Sequence, residues 1–234
     1  MVYAFIDERY DFASDPRVIW SSCVAFPQDR YNACLARVDS VRRDRGQDFP
    51  SRLNQLVRDL DGYAIQATAR LDPSLLRFGE NDATVDIPRM SRTDNAWSSA
   101  IIFTIGRTLA RLAQHSFPFS TVDLYLDRRD VTAAHWQAML RTLHEMVPEV
   151  HREFCDAGGL GSYRKLSIRR VSLVEKWGRR EAPSKFQIGV ALAHSLCRKE
   201  GGRDSLERIE EFDASEVVRE HIERWDLWAG TSES

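Results

Sequence analysis

The 234-residue sequence has no C-x-x-C pair, no apolar run long enough to span a bilayer, and no basic segment ahead of an apolar one at its start. Each absence excludes something. Its four cysteines, Cys23, Cys34, Cys155 and Cys197, are scattered, and no histidine stands at zinc-finger spacing from them. Reduced, mostly buried thiols are therefore expected rather than a disulfide framework or a zinc site. Without a signal peptide or a stretch of about 18 apolar residues, a cytoplasmic location and no membrane contact are expected. The net charge of -2 and pI of about 6.3 exclude a chain that binds nucleic acid through its overall charge, so any such surface must be local. Also missing are G-x-x-x-x-G-K-[ST], a G-x-G-x-x-G after a strand, and G-x-S-x-G. Their absence weighs against the commonest nucleotide-binding and hydrolase classes.

What is present is ordinary globular composition, 43% hydrophobic and 10% aromatic. The length suits one main domain, expected over residues 1–200, followed by a helical tail over 201–234. Residues 2–7 and 17–26 are β-branched, aromatic-rich runs on either side of a turn-prone Ser14-Asp15-Pro16, which reads as a hairpin. Between 29 and 45, apolar residues recur at helical spacing up to Gly46. A short helix is predicted at 51–60, a strand at 63–68, a loop at 71–90 and a strongly apolar helix to about His115. A strand at 121–126 and a helix through Trp136 and Leu143 follow, with Pro148 expected to kink or end that helix. The pattern closes with a strand at 166–174 and a helix from about Ser184 to Arg198. Strands separated by long helical crossovers favour parallel neighbours, and the close first pair favours an antiparallel one. The expected fold is α/β: a mixed sheet flanked by helices, as in RNase H-like folds, with a C-terminal helical appendage.

Two acids close strands. Asp7 ends the run at 2–7, and Asp127 follows the strand at 121–126. If those strands are parallel neighbours, both carboxylates emerge at one sheet edge, about 4.8 Å apart across the strands, where they can share a divalent cation. Such a cation activates water and stabilises the leaving oxygen in phosphodiester cleavage. Glu8 is a weaker third candidate because strand alternation aims it away from Asp7, and Asp123 lies a strand length short of the edge. Against this stands the plain reading that an Asp closing a strand caps the following turn.

FIDERYD at 5–11, RVIWSSCVAF at 17–26, VDLYLDRRD at 122–130 and FQIGVALAHSLCR at 186–198 together resemble the bacterial family called domain of unknown function 3800. The resemblance covers roughly residues 2–200. It implies an RNase H-like fold whose first strand runs into Asp-Glu-Ser-Gly, and a setting in bacterial defence or mobile-element biology. It further implies a nuclease using magnesium or manganese, with Asp7, Asp127 and Glu8 as catalytic residues and Asp7 and Asp127 as metal ligands. The sequence departs from that pattern at two places: Arg9-Tyr10 replaces Ser-Gly, and Val190 stands where the family has Asp. The departures leave open a second reading, a domain that has lost catalysis and serves as a nucleic-acid-binding or protein-interaction subunit. Glu175, Glu181 and His194 are the nearby groups able to replace a missing ligand.

Residues 164–185 hold eight basic side chains against two acidic ones. Arg164, Lys165, Arg169, Arg170, Lys176, Arg179 and Arg180, with Tyr163 and Trp177 interleaved, form a candidate nucleic-acid-binding stretch. A solvated edge strand protected by its charges gives the same pattern. In the tail, Val218, Ile222 and Trp225 share a helical face that either packs back on the domain or docks a protein partner, with Trp225 and Trp228 as anchors.

Overall fold

The two β-branched runs pair first: β1 (Val2–Asp11) and β2 (Arg17–Pro27) are antiparallel, with Asp7 opposite Ser22. The computed structural model describes the chain apart from residues 12, 14, 44–47, 73, 75–91, 116–117, 128–132, 160–164, 176–181, 199–205 and 232–234. For 92–95, 133–135, 138 and 224–231 it gives the backbone alone. The predicted loop at 71–90 lies almost wholly outside the described residues.

β3 (Tyr63–Leu71) continues the antiparallel meander on β2, while β4 (Thr121–Asp127) and β5 (Ser167–Val174) add parallel strands beyond β1. With β6 (Ile209–Asp213) parallel to β3, the six-stranded mixed sheet has the order β5-β4-β1-β2-β3-β6. The expected hairpin start and parallel second half are both present, and the fold is α/β.

Strand alternation divides the core in two. Val2, Ala4 and Ile6 pack under α4 (Arg92–His115) and α5 (Ala133–Ala157), which also pack on each other. Tyr3 and Phe5 point to the other face, under α6 (Lys185–Cys197), α2 (Leu35–Arg43) and α3 (Phe49–Asp59). That second face is aromatic: Phe186 stacks on Tyr125 at 4.2 Å, and Phe5 meets Tyr31 at 4.9 Å and Tyr125 at 5.5 Å. Each fully buried Phe of this kind contributes about 1.5–3 kcal/mol.

Three expectations are corrected. The helix predicted at 29–45 is two helices, α1 (Gln28–Ala33) and α2, parted at Cys34, whose ψ of 23° leaves helical geometry. The break lets Tyr31 turn into the sheet, its hydroxyl donating to the Lys185 carbonyl at 2.5 Å, while Val38 and Val41 bury separately. Of the two outcomes expected at Pro148, a kink or an end, the end is excluded, since α5 continues to Ala157. A mid-helix proline costs about 3 kcal/mol, and burial of Leu143, Val147 and Val150 around it offsets that. The tail is only partly helical: residues 209–213 join the sheet as β6, and α7 (Ser215–Thr231) then packs on α4 through buried Val218 and Ile222. The side chains of Trp225 and Trp228 lie outside the described residues.

The described cysteines are all free, and Cys23 and Cys197 are buried, which pushes both thiols up to about 12. His151 on α5 is 3% exposed, and burial pulls its imidazole down to about 4. Because the folded value lies below the ordinary one, the fold favours the neutral ring. Its stability is full above about pH 6.5 and falls as pH drops toward 4, by on the order of 3 kcal/mol for this group. The shift of the urea midpoint between pH 7 and pH 4 should therefore be clearly smaller in His151→Leu than in wild type; equal shifts would rule the group out as a source of acid sensitivity.

Candidate active site

β1 and β4 are adjacent and parallel, with Ile6 opposite Leu126, so the next residue on each strand is Asp7 and Asp127. By alternation Asp7 belongs to the face that carries Phe5 and Tyr125, the face covered by α6, whereas Asp127, as the last residue of β4, also reaches the opposite face. The strands are adjacent and parallel as the pair required, but Asp7 does not close its strand as expected: β1 runs on to Asp11, because β2 continues to pair with it beyond Asp7. Asp7 is 3% exposed, and its Oδ2 lies 2.9 Å from Nδ1 of His194, whose side chain is half-exposed on α6. With the ring N–H donating to the carboxylate, Nε2 of His194 keeps its lone pair. Oδ1 of Asp7 carries no hydrogen bond to a described residue.

α6 is positioned by several independent contacts. Ser184 and Gln187 form a capping box at its start, Gln187 Nε2 donates to the Glu175 carbonyl at 2.8 Å, and Phe186 sits on Tyr125. Gly189 lies against the Phe5 ring so closely that a Cβ would fall 2.4 Å from it. One turn further, Ser22 Oγ donates to the Ala193 carbonyl at 2.8 Å, and the next residue is His194. Val190, where an acid was expected from the resemblance, is 5% exposed in the apolar cluster. His194 stands four residues later, one helical turn along, and its imidazole reaches Asp7 instead. That i to i+4 offset was the available sequence signal for it.

Glu8 is 7% exposed and points to the opposite face, where Trp97, Trp136, Met139, Leu126 and Leu173 line a narrow cleft with it. Asp127, the last residue of β4, borders that cleft as well. Glu175 is exposed and offers its carbonyl to Gln187, while Glu181 and Asp130 lie outside the described residues. Among the described residues, no three His, Cys, Asp or Glu side chains are gathered closely enough to hold a metal ion. The described chain thus brings together one acid and one imidazole, Asp7 and His194, with Asp127 on the neighbouring strand. Of these only the carboxylates are donors of the kind magnesium takes, and it commonly uses one or two of them with waters and substrate phosphate.

The basic stretch is divided by the structure. Lys165 and Arg170 are exposed, Arg170 being on edge strand β5. Arg169 is the extra residue of a bulge opposite Val122 and Asp123. Its guanidinium is committed to the fully buried Asp123, with Nε at 2.8 Å from Oδ1 and a terminal nitrogen at 2.5 Å from Oδ2. That pair raises the Arg169 pKa and satisfies Asp123, which thereby becomes a structural residue. Arg164, Lys176, Arg179 and Arg180 lie outside the described residues.

No helix among the described residues is long and apolar enough to cross a membrane. No family model matches the chain, and neither does any curated protein.

Proposed function

We propose that the chain is a divalent-metal-dependent nuclease of RNase H-like fold, as its resemblance to domain of unknown function 3800 implies, working in bacterial defence or mobile-element biology. The observation that carries the reading is that Asp7 and Asp127 directly follow the paired residues Ile6 and Leu126 on adjacent parallel strands, with His194 hydrogen-bonded to Asp7. The antiparallel β1–β2–β3 meander followed by parallel β4 and β5 supports the fold assignment. Asp7 and Asp127 would hold a magnesium or manganese ion, which supplies an activated water and a counter-charge for the leaving oxygen. Asp7 orients the His194 ring through Nδ1, and Nε2 is then the atom able to take up or return a proton. Glu8, across the sheet, is a supporting group near Asp127 in this reading. Lys165 and Arg170 support a nucleic-acid partner by offering exposed charge along the β5 edge.

Calorimetric titration of manganese into wild type and into Asp7→Ala/Asp127→Ala tests the site directly. Saturable binding in wild type that disappears in the double variant is expected. A second reading, a catalytically silent nucleic-acid-binding or interaction domain, is favoured by Val190 in the apolar cluster. Absence of manganese binding in wild type would leave that reading standing.

A further inference from the structure

At the other end of α4 from Trp97, a cavity of about 170 Å³ opens between α4 and the end of α5. Arg107, Arg111 and Gln114, at helical spacing on α4, line one side; Phe154, Ala157 and Gly158 line the other. The small residues leave the space, and Gln114 lies across Gly158, where a Cβ would fall 2.0 Å from its amide nitrogen. We infer that this cavity is a binding site for phosphate, as the free ion or as a terminal phosphomonoester.

The two guanidiniums are held in place by one acid. Glu210 on β6 accepts from Arg107 Nε at 2.6 Å through Oε1 and from Arg111 Nε at 2.8 Å through Oε2. Arg107 is also held against the rings of Phe212, at 4.4 Å, and Phe154, at 5.2 Å. Two cations against one anion leave an uncompensated positive charge at a half-buried site. Each guanidinium has five N–H donors. Arg107 spends Nε and one terminal nitrogen on Glu210, and Arg111 spends Nε on Glu210 and one terminal nitrogen on Gln114. The remaining donors have no acceptor among the described residues.

Oriented guanidiniums with spare donors bind phosphate oxygens bidentately. The volume decides the size of the occupant: 170 Å³ is below the roughly 300–1,000 Å³ of drug-sized ligand sites, so a small anion fits where a whole nucleotide does not. Arg208 adds a further positive charge nearby, with Glu207 opposing it. His115 is shifted down by burial and then by the positive charges of Arg208 and Arg111. None of these residues belongs to the carboxylate pair, so the two sites stand or fall separately.

The test is titration of the full chain with inorganic phosphate in chelator at low ionic strength, followed by calorimetry and ³¹P line width. Saturable binding below ~10 mM is expected. Arg111→Gln should weaken it at least about tenfold, a loss typical of a charge-assisted bidentate contact. Ala157→Glu, at an exposed position, places a like charge in the cavity and should abolish binding without depending on the arginine pair. Asp7→Asn should bind phosphate as wild type does. A 5′-phosphorylated dinucleotide that binds where its 5′-hydroxyl form does not assigns the site to phosphomonoester ends; binding of inorganic phosphate alone assigns it to the free ion. No saturation in wild type, or binding unchanged in both cavity variants, overturns the inference.

Discussion

Asp7→Asn is expected to lower metal-dependent cleavage by at least about 10³-fold, equivalent to ~4 kcal/mol of transition-state stabilisation. The amide has the shape of the carboxylate but no charge, so it removes the proposed metal ligand while leaving a carbonyl to face His194 at the 2.9 Å contact. Asp7 is almost fully buried, and a neutral group there relieves the cost of desolvating a charge. The melting temperature should therefore hold or rise while activity collapses, which separates a lost ligand from a lost fold. His194→Ala, which removes the proton-carrying Nε2 but leaves the carboxylates, is expected to lower the rate by about 10²-fold. Initial rates on end-labelled single-stranded and duplex substrates, with magnesium and with manganese, measure both. Cleavage by Asp7→Asn at the wild-type rate would remove the nuclease reading.

Gly189→Leu should produce the largest loss of stability of any single change at the α6 interface. A Cβ at this position falls 2.4–2.5 Å from three atoms of the Phe5 ring, well inside contact distance. The ring cannot move aside, because Tyr31 and Tyr125 pack on it at 4.9 and 5.5 Å and Phe5 is fully buried. Overpacking at such a site costs about 3 kcal/mol. For a chain of this length, that lowers the melting temperature by about 6–12 °C. The displacement also lifts α6 from β1 and parts His194 from Asp7, so manganese affinity should fall with stability. Gly189→Ala is the control: its gain of about 1 kcal/mol in helix propensity opposes the clash, and its effect should be distinctly smaller. A Gly189→Leu chain that melts with wild type would show that α6 does not approach Phe5 this closely.

The strands of the first 70 residues and the helix at 184–198 were legible because their apolar residues follow periods of 2 and 3.6, a property of the local chain. Where periodicity failed, a distant partner had intervened. Ile209 and Phe212 stand three apart among acids, a spacing that reads as part of a helix, but the open edge of β3 offers hydrogen bonds and captures residues 209–213 as β6. Pro148 marks a helix end in isolation, yet the packed α4–α5 interface carries the helix through it. Arg169 looked like a phosphate contact until the bulge in β5 turned its guanidinium onto buried Asp123.

By itself the sequence determined the α/β content, the acid Asp127 that closes β4, and the aromatic character of the strand interiors, because each depends on residues within a few positions of one another. The tertiary structure alone decided that β1 and β4 are parallel neighbours in a register that pairs Ile6 with Leu126, the residues before Asp7 and Asp127. It alone brought His194, 187 residues along the chain, to Asp7, and set Glu210 between Arg107 and Arg111. Strand order and helix crossing are settled by how two apolar faces of one sheet are covered, and that is a property of the whole chain which no local pattern encodes.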